Sequence, residues 1–391
     1  MKRTIAVITT SRADYGHLYW PIRDLSSQPG VDLIVIALGP HLSPEFGNTV
    51  AEMDQDALPV HERLECLLSS DSDVGMAKTI GIATLGLADL LGRRRPELLL
   101  LIGDRYELLA PASVALALRI PIAHIEGGEV SEGAIDDAVR NALTKLGHIH
   151  LTTTESARLR VLAMGEEEWR VHRVGSPTLD HLRRSPLLAK EAVSERLGLD
   201  LDRPTLVVSC HPVTMARDTT READALFAAL GEVREQIAFC YPNADAGSRA
   251  LIARAREFCA GRSHARVFVN LGHVLYWSLL RCASALLGNS SSGIMETASL
   301  GLPAVDVGWR QAGRERARNV LHAPAEPSAI LEQLRLALTP GFHESLAGLE
   351  NPYGDGRAAE RIVKILLEAP LGERLLAKKA LPLDARGMAS S

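Results

Sequence analysis

Short apolar segments alternate with longer helical patterns along most of this chain, and that alternation limits the fold more than any single motif does. Residues 4–9, 31–37, 97–103, 122–125, 150–153 and 171–174 read as strands with helical stretches between them. Strands separated by helices specify a parallel sheet wrapped by helices. Leu98 to Ile102 is apolar without alternation, as expected for a strand covered on both faces. The rhythm lapses between about Ser176 and Arg203, where Gly175, Pro177, Pro186 and Pro204 punctuate a polar helical stretch. It resumes with strands expected at 205–209, 237–241, 265–269, 285–288 and 303–307. The expectation is two α/β halves in series, 1–180 and 181–370, followed by a tail at 371–391 that frays from about Lys378.

Length and charge narrow the function classes. A chain of 391 residues, 46% apolar, has room for two ordinary domains with their own cores. Lys and Arg number 43 against 48 Asp and Glu, a formal charge of -5 without clustered cations. Nucleic-acid binding depends on clustered cations, so no nucleic-acid partner is expected, whereas a few Arg and helix N-termini suffice for a small anion. Leu98 to Ile102 falls far short of the roughly 20 apolar residues of a membrane helix, and Ser11, Arg12 and Asp14 interrupt the N-terminal apolar run. No membrane association is expected. The five cysteines are scattered, odd in number and without a C-x-x-C pair, which fits a reducing cytoplasm.

In open parallel sheets the functional loops lie at the carboxyl ends of the strands. The first strand ends in Thr10-Ser11-Arg12-Ala13-Asp14-Tyr15-Gly16-His17, before a helix. Two readings are open there: an anion site using Arg12, His17 and the helix N-terminus, or an ordinary turn capped by Asp14. Gly103-Asp104-Arg105-Tyr106-Glu107 follows the most buried-looking strand, and His124-Ile125-Glu126-Gly127-Gly128-Glu129 the next. With Asp136, these bring Asp104, Glu126 and Glu129 toward one cleft. Gathered carboxylates shift one another's pKa, so one can act as base while another stays an acid. A metal site with His124 competes, but no compact ligand motif is present, and none is assigned.

In the second half, His211-Pro212 ends the first strand, and Tyr241-Pro242-Asn243 ends the next. The sharpest segment is Gly288-Asn289-Ser290-Ser291-Ser292-Gly293, leading into a helix through Glu296. Hydroxyls and exposed N–H groups at a helix start suit a pyrophosphate. The segment lacks the Gly-Lys-Ser/Thr of a Walker loop and the spacing of a dinucleotide fingerprint. Glu296 is placed to reach ribose hydroxyls, and Arg310, Arg314, Arg316 and Arg318 follow the next strand.

Taken together these motifs resemble the UDP-N-acetylglucosamine 2-epimerase family, in its hydrolysing branch. The resemblance runs from Arg12 to about Leu367. It rests on S-R-A-D-Y-G at 11–16, G-D-R-Y-E at 103–107, H-I-E-G-G-E at 124–129, G-A-I-D-D-A-V-R-N-A-L-T-K-L at 133–146, H-P at 211–212, G-N-S-S-S-G at 288–293, G-W-R-Q-A-G-R at 308–314 and N-P-Y-G-D-G at 351–356. It implies a glycosyltransferase-B type fold, two Rossmann-like domains facing across a cleft, with a last helix after Gly356 crossing back to the first. It implies UDP held by His211, Asn243, Ser290, Ser291, Glu296 and Arg310, with Arg12, Gly16, His17 and Arg105 contributed by the first half. The family's catalytic positions fall on Asp104, Glu126, Asp136 and His211. The implied reaction eliminates UDP to a glycal and adds water with inversion at carbon-2, without cofactor, in a homodimer or homotetramer.

UDP-N-acetylglucosamine, giving N-acetylmannosamine for sialic-acid synthesis, is the first substrate this implies. His41-Leu42-Ser43-Pro44 and Leu68-Ser69-Ser70-Asp71 are also similar to the subgroup acting on UDP-2,4-diacetamido-2,4,6-trideoxyglucose toward legionaminic acid. A glycosyltransferase of the same fold and a non-catalytic nucleotide-sugar sensor are the rival readings.

Overall fold

The computed structural model describes residues 2–70, 72–242 and 245–380. The first half forms a seven-stranded parallel sheet in the order β3-β2-β1-β4-β5-β6-β7. Its strands are β1 (Arg3–Thr9), β2 (Val31–Leu38), β3 (Glu62–Leu64), β4 (Leu98–Ile102), β5 (Ile122–Ile125), β6 (Ile149–Thr152) and β7 (Val171–Arg173). The second half is a six-stranded parallel sheet in the order β10-β9-β8-β11-β12-β13. It comprises β8 (Thr205–Ser209), β9 (Gln236–Cys240), β10 (Ala265–Phe268), β11 (Ala285–Gly288), β12 (Ala304–Val307) and β13 (Val320–Ala323).

Every strand expected from the apolar rhythm is present, and two were not expected, β3 and β13. Both are short edge strands: β3 is Glu-Arg-Leu, and β13 pairs with β12 alone. A strand covered on one side carries polar residues, so its apolar run is broken.

The core of the first half lies on both faces of its sheet. Ile5, Val7, Leu98 and Leu100 pack with Leu18 and Ile22 of the helix Arg12–Ser26. Ala6, Ile8, Leu99 and Leu101 pack with Ala83 and Leu87 of the helix Asp73–Arg94. That helix is long and apolar enough to cross a membrane by length and composition, but Thr79, Ala83, Leu87, Leu90 and Leu91 are buried inside this half. It is a packed element of the α/β layer. The second sheet is likewise covered on both faces, with Leu206 and Val208 toward one cluster and Val207 toward the other.

After the second sheet the chain returns to the first. The helix Ala358–Glu368 buries Ile362, Val363 and Leu366 in the same cluster as Leu18 and Ile22. Asp180 fixes its start, accepting hydrogen bonds from Ala358 N and Ala359 N at 2.9 Å each. Within the stretch read as a tail, Glu373–Leu376 forms a further short helix with Leu375 buried in the first core. Arg170 donates to the carbonyls of Leu375 and Ala377, and Lys378 pairs with buried Glu166 at 2.7 Å. Apolar and charged anchors therefore dock the chain up to this point, and residues 381–391 lie outside the described residues.

Both sheets reverse their strand order at the centre, between β1 and β4 and between β8 and β11. The loops leaving those strands diverge around a crevice, the place where open α/β sheets bind ligands. They are the loops the sequence marks as polar and glycine-rich.

The returning helix ties the halves together through buried apolar contacts. Ile362→Ala is expected to lower global stability by about 2–5 kcal/mol, as core truncations do. Urea denaturation would measure it, and a midpoint within error of the parent would contradict this packing.

Candidate active site

At the end of β1, Ser11 caps the helix Arg12–Ser26 by accepting from Asp14 N at 3.4 Å. Asp14 is not the cap: it folds back onto Thr10 N at 3.1 Å and the Thr10 hydroxyl. Burial raises the pKa of Asp14 to about 6. Arg12 crosses the crevice, its guanidinium donating to Val269 O at 2.7 Å and Tyr241 O at 3.4 Å. His17, a turn and a half further on, places Nδ1 2.7 Å from Glu126 Oε1 and Nε2 3.9 Å from Glu296 Oε1. One imidazole thus stands between carboxylates from both halves.

The loop after β4 supplies Asp104 and Arg105. Asp104 is ion-paired to Arg140, which is completely buried and also donates to Ser131 Oγ at 2.9 Å and Glu129 O at 2.9 Å. Arg140 lies four residues after Asp136 on the helix Asp136–Leu146, so both project from one face. Arg105 spans the seam, reaching Asp245 Oδ1 at 2.5 Å and Glu107 Oε1 at 3.1 Å. After β5, Glu126 adopts φ 69°, a left-handed conformation that a non-glycine residue holds only when its surroundings fix it.

From the second half, His211 and Asn289 lock the loops after β8 and β11 together. His211 N donates to Asn289 Oδ1 at 2.7 Å, and Asn289 Nδ2 donates to His211 O at 2.9 Å. Gly288 makes this approach possible, since a Cβ there would lie 2.0 Å from Ser209 O. Beyond it, Ser290 and Ser291 face the crevice. The helix expected through Glu296 is shorter, Ser292–Met295, and Glu296 sits at its break. There Glu296 accepts from Thr178 Oγ1 at 2.8 Å and from the Ser292 hydroxyl. Arg310 donates to Asn289 O at 3.2 Å and reaches Asp136 Oδ2 at 3.2 Å.

Arg12, Gly16, His17, Asp104, Arg105, Glu126, Asp136, His211, Ser290, Ser291, Glu296 and Arg310 all line one cleft between the sheets, with about 1380 Å³ free of protein atoms and part of it open to solvent. Asn243 lies outside the described residues. Glu129 does not line the cleft: it is buried behind it, bonded by the Thr153 hydroxyl and 3.7 Å from Arg314 Nε. His124 is buried as well, Nε2 lying 2.8 Å from Gly103 O.

The sequence reading missed Arg140 and Asp245 as partners of the site. An arginine one turn after the paired aspartates was the available signal for the first. Arg314 also lines the cleft and donates to Val130 O at 3.2 Å. Among the described residues, Glu52, Asp56 and His273 bring possible metal-ligand atoms within 4.8 Å of one another. They already bond one another and Tyr15: Glu52 accepts from His273 N at 3.0 Å, and Asp56 from the Tyr15 hydroxyl at 2.7 Å. The group joins the two halves at the rim.

Three of the cleft carboxyls differ in electrostatics. Burial opposes ionisation of Asp104, but Arg140, Arg314 and Arg310 outweigh it and hold the group below the usual range. Burial likewise opposes ionisation of Glu126, and His17 overcomes it. Asp136 goes the other way, pushed up to about 7 by burial and by the charge of Asp104, against the pull of Arg310. Burial and the nearby Arg310, Arg12 and Arg105 keep His211 neutral. Carboxyls whose environments drive them apart are the arrangement general acid/base chemistry needs.

Compared with known proteins, the chain matches the family described as UDP-N-acetylglucosamine 2-epimerase over residues 23–367. It is 34% identical over 379 residues to the UDP-N,N'-diacetylbacillosamine 2-epimerase (hydrolyzing) of Legionella pneumophila, covering 97% of this chain and 99% of that protein. It is 32% identical over 347 residues to a UDP-N-acetylglucosamine 2-epimerase of Neisseria meningitidis serogroup B, covering 88% of this chain and 90% of that one. The crystal structure of the Neisseria meningitidis UDP-GlcNAc 2-epimerase bound to UDP-GlcNAc matches with a TM-score of 0.79 at 18% identity, covering 94% of this chain and 100% of that one. That likeness carries the fold, two facing parallel α/β sheets of the glycosyltransferase-B type.

His17 supplies a direct check of the cleft's electrostatics. Burial alone disfavours its charged form, but Glu126, with Glu296 and Asp14, raises its pKa to about 9. In Glu126→Gln the largest opposing charge is gone, and the pKa of His17 is expected to fall toward or below an unperturbed value of about 6.5. NMR titration of the imidazole measures it, and an unchanged titration would refute the pairing.

Proposed function

The chain belongs to the UDP-N-acetylglucosamine 2-epimerase family, and on that premise we propose that it is a hydrolysing 2-epimerase acting on a UDP-linked 2-acetamido sugar. The observation that carries this reading is the facing of two unlike surfaces. Three carboxyls of the first half, Asp104, Glu126 and Asp136, oppose a polar cradle of the second, formed by His211, Ser290, Ser291 and Arg310. The cradle holds the diphosphate, Glu296 takes the ribose hydroxyls, and the sugar lies against the carboxyls.

The reaction follows from that placement. A carboxylate removes the proton at carbon-2 while the bond from carbon-1 to the UDP oxygen breaks, leaving a glycal. Arg310 and Arg105 counter the charge building on the leaving diphosphate. Water then adds at carbon-1 and a proton returns to carbon-2 on the opposite face, giving the inverted free sugar. We assign removal of the carbon-2 proton to Asp136, whose carboxyl is held near neutrality and so readily takes up a proton, while the proton added to the opposite face comes from solvent water. Asp104 and Glu126, held ionised by cations, stabilise positive character at carbon-1 and orient the attacking water. His17, as a cation, keeps Glu126 ionised and closes the ribose side. No step calls for a metal or a nicotinamide. The five cysteines are free thiols, which supports a reducing compartment, the cytoplasm.

For the sugar itself we favour the 2,4-diacetamido-2,4,6-trideoxy substrate over UDP-N-acetylglucosamine, which the sequence motifs put first. The support is end-to-end similarity to the Legionella pneumophila protein, together with the segments 41–44 and 68–71. UDP-N-acetylglucosamine remains the second reading, favoured by similarity to the Neisseria meningitidis relative.

Proton NMR of the protein with each UDP-sugar in deuterated water tests the function. The expected outcome is free UDP and a carbon-2-inverted sugar carrying deuterium at carbon-2, with the higher kcat/KM for the diacetamido substrate. Transfer to an acceptor, or product without deuterium, would exclude the mechanism. A higher kcat/KM for UDP-N-acetylglucosamine would reverse the substrate choice.

Two further outcomes are expected. Asp104→Asn and Glu126→Gln should each reduce kcat by about 10²–10⁴-fold while UDP binding by calorimetry changes little; full activity in either would remove the carboxyls from the mechanism. The profile of kcat/KM against pH should be a bell. Its rising limb lies near 7 as Asp136 loses its proton to become a base, and its falling limb near 9 as His17 loses its own. A profile flat from pH 6 to 10 would contradict both assignments.

A further inference from the structure

Hydroxyls hold both oxygens of Glu296. Its carboxylate is buried where the helix Ser292–Met295 breaks. Thr178 Oγ1 donates to Oε1 at 2.8 Å, and the Ser292 hydroxyl donates to Oε2. A hydroxyl has one proton to give, so the 2.6 Å bond between Ser292 Oγ and the Tyr276 hydroxyl runs from the tyrosine. Burial and the charge of Glu296 keep that phenol protonated, in the state that donates. Tyr276, Ser292 and Glu296 thus form one directed chain, while Thr178 answers the other oxygen.

Thr178 is itself fixed in place. It lies in the short turn Pro177–Leu179, on the segment by which the chain leaves the first half for the second. Ser176 N donates to Tyr353 O at 2.7 Å, which ties this crossing to the returning one. Leu179 packs in one buried cluster with Trp277, Ile294, Met295 and Tyr353, so apolar contacts with the second half set where the Thr178 hydroxyl stands.

Each carboxylate oxygen can accept two hydrogen bonds. Among the described residues each oxygen of Glu296 receives one, leaving an acceptor position on both, the number that two neighbouring sugar hydroxyls require. Immobilising a glutamate costs rotamer entropy, and a side chain already held spares binding that cost. Thr178, Ser292 and Glu296 all line the cleft. The structure assigns to Thr178 and Ser292 the positioning of Glu296 for the ribose diol, so that a residue of the crossing segment takes part in recognising the nucleotide. The assignment rests on the proposed binding of ribose by Glu296.

Calorimetry with UDP and 2′,3′-dideoxy-UDP tests it. The parent protein is expected to bind UDP about tenfold or more tightly than the dideoxy nucleotide, as hydrogen bonds to a charged group confer. Thr178→Val and Ser292→Ala should each cut that ratio to about threefold or less while affinity for the dideoxy nucleotide stays within about twofold of the parent's. Thr178→Ser keeps the hydroxyl and should keep the ratio. A loss shared equally by both nucleotides would mark a merely structural role and overturn the proposal. Glu296→Ala separates the proposal from the reading beneath it. If that variant loses the discrimination while Thr178→Val or Ser292→Ala keeps it, positioning by that residue is overturned and the ribose reading stands. A parent protein that binds both nucleotides equally overturns the ribose reading, and the proposal with it.

Discussion

A parallel sheet obliges the chain to cross back after every strand, and where the order of crossing reverses, neighbouring loops leave in opposite directions. In this protein that happens twice, at β1/β4 and at β8/β11, and the two openings face each other. The consequence is chemical as well as geometric. The loops flanking the first opening carry Arg12, Asp104 and Arg105, while those flanking the second carry His211, Asn289 and the serines. Strand β4 and residues 5–9 of β1, all buried, hold the first set rigidly because their side chains are packed on both faces. Activity depends on that rigidity, since a displacement of 1 Å at a reacting centre is costly.

Electrostatics then settles how the halves meet. Arg105 and Asp245, like Arg310 and Asp136, come from opposite halves and pair across the seam. A buried charge without a partner costs several kcal/mol, so each half taken alone exposes or strands charges that the other neutralises. Arg140 does the same within the first half, answering Asp104 from behind. The result is a cleft in which carboxyls at similar depth have unlike proton affinities, for reasons that can be traced to named cations.

The order of strands and the positions of the cleft loops were legible in the sequence because buried parallel strands write themselves as apolar runs and their carboxyl ends as Gly, Asp and Ser. The edge strands β3 and β13 were not legible, since one open side admits Glu62, Arg63 and His322 into the run. Glu129 looked equivalent to Glu126 in the same glycine-rich loop. What separated them was the backbone: the positive φ at Glu126 and at Gly128 sends one carboxylate into the cleft and the other toward Thr153. Position along a chain does not reveal that kind of turn. The docking of 373–378 escaped notice for a related reason, because its anchors, Arg170 and Glu166, lie some 200 residues away in sequence.

His17 brings these strands of argument to one atom pair. It belongs to the helix that follows β1, yet its two ring nitrogens address Glu126 from the first half and Glu296 from the second. A neutral imidazole would serve only one of them as a donor, and a protonated one serves both. Its charge rests chiefly on Glu126 within the first half, Glu296 across the cleft adds to it, and Glu126 is in turn held ionised by that charge. Glu296, proposed for the ribose, and Glu126, proposed for the sugar, are thereby linked through a single proton. Drawing the second half away would weaken the hold on that proton and, with it, the ionisation of a carboxylate in the first. Closure of the cleft therefore reinforces, through Glu296, a charge pair that the first half already holds.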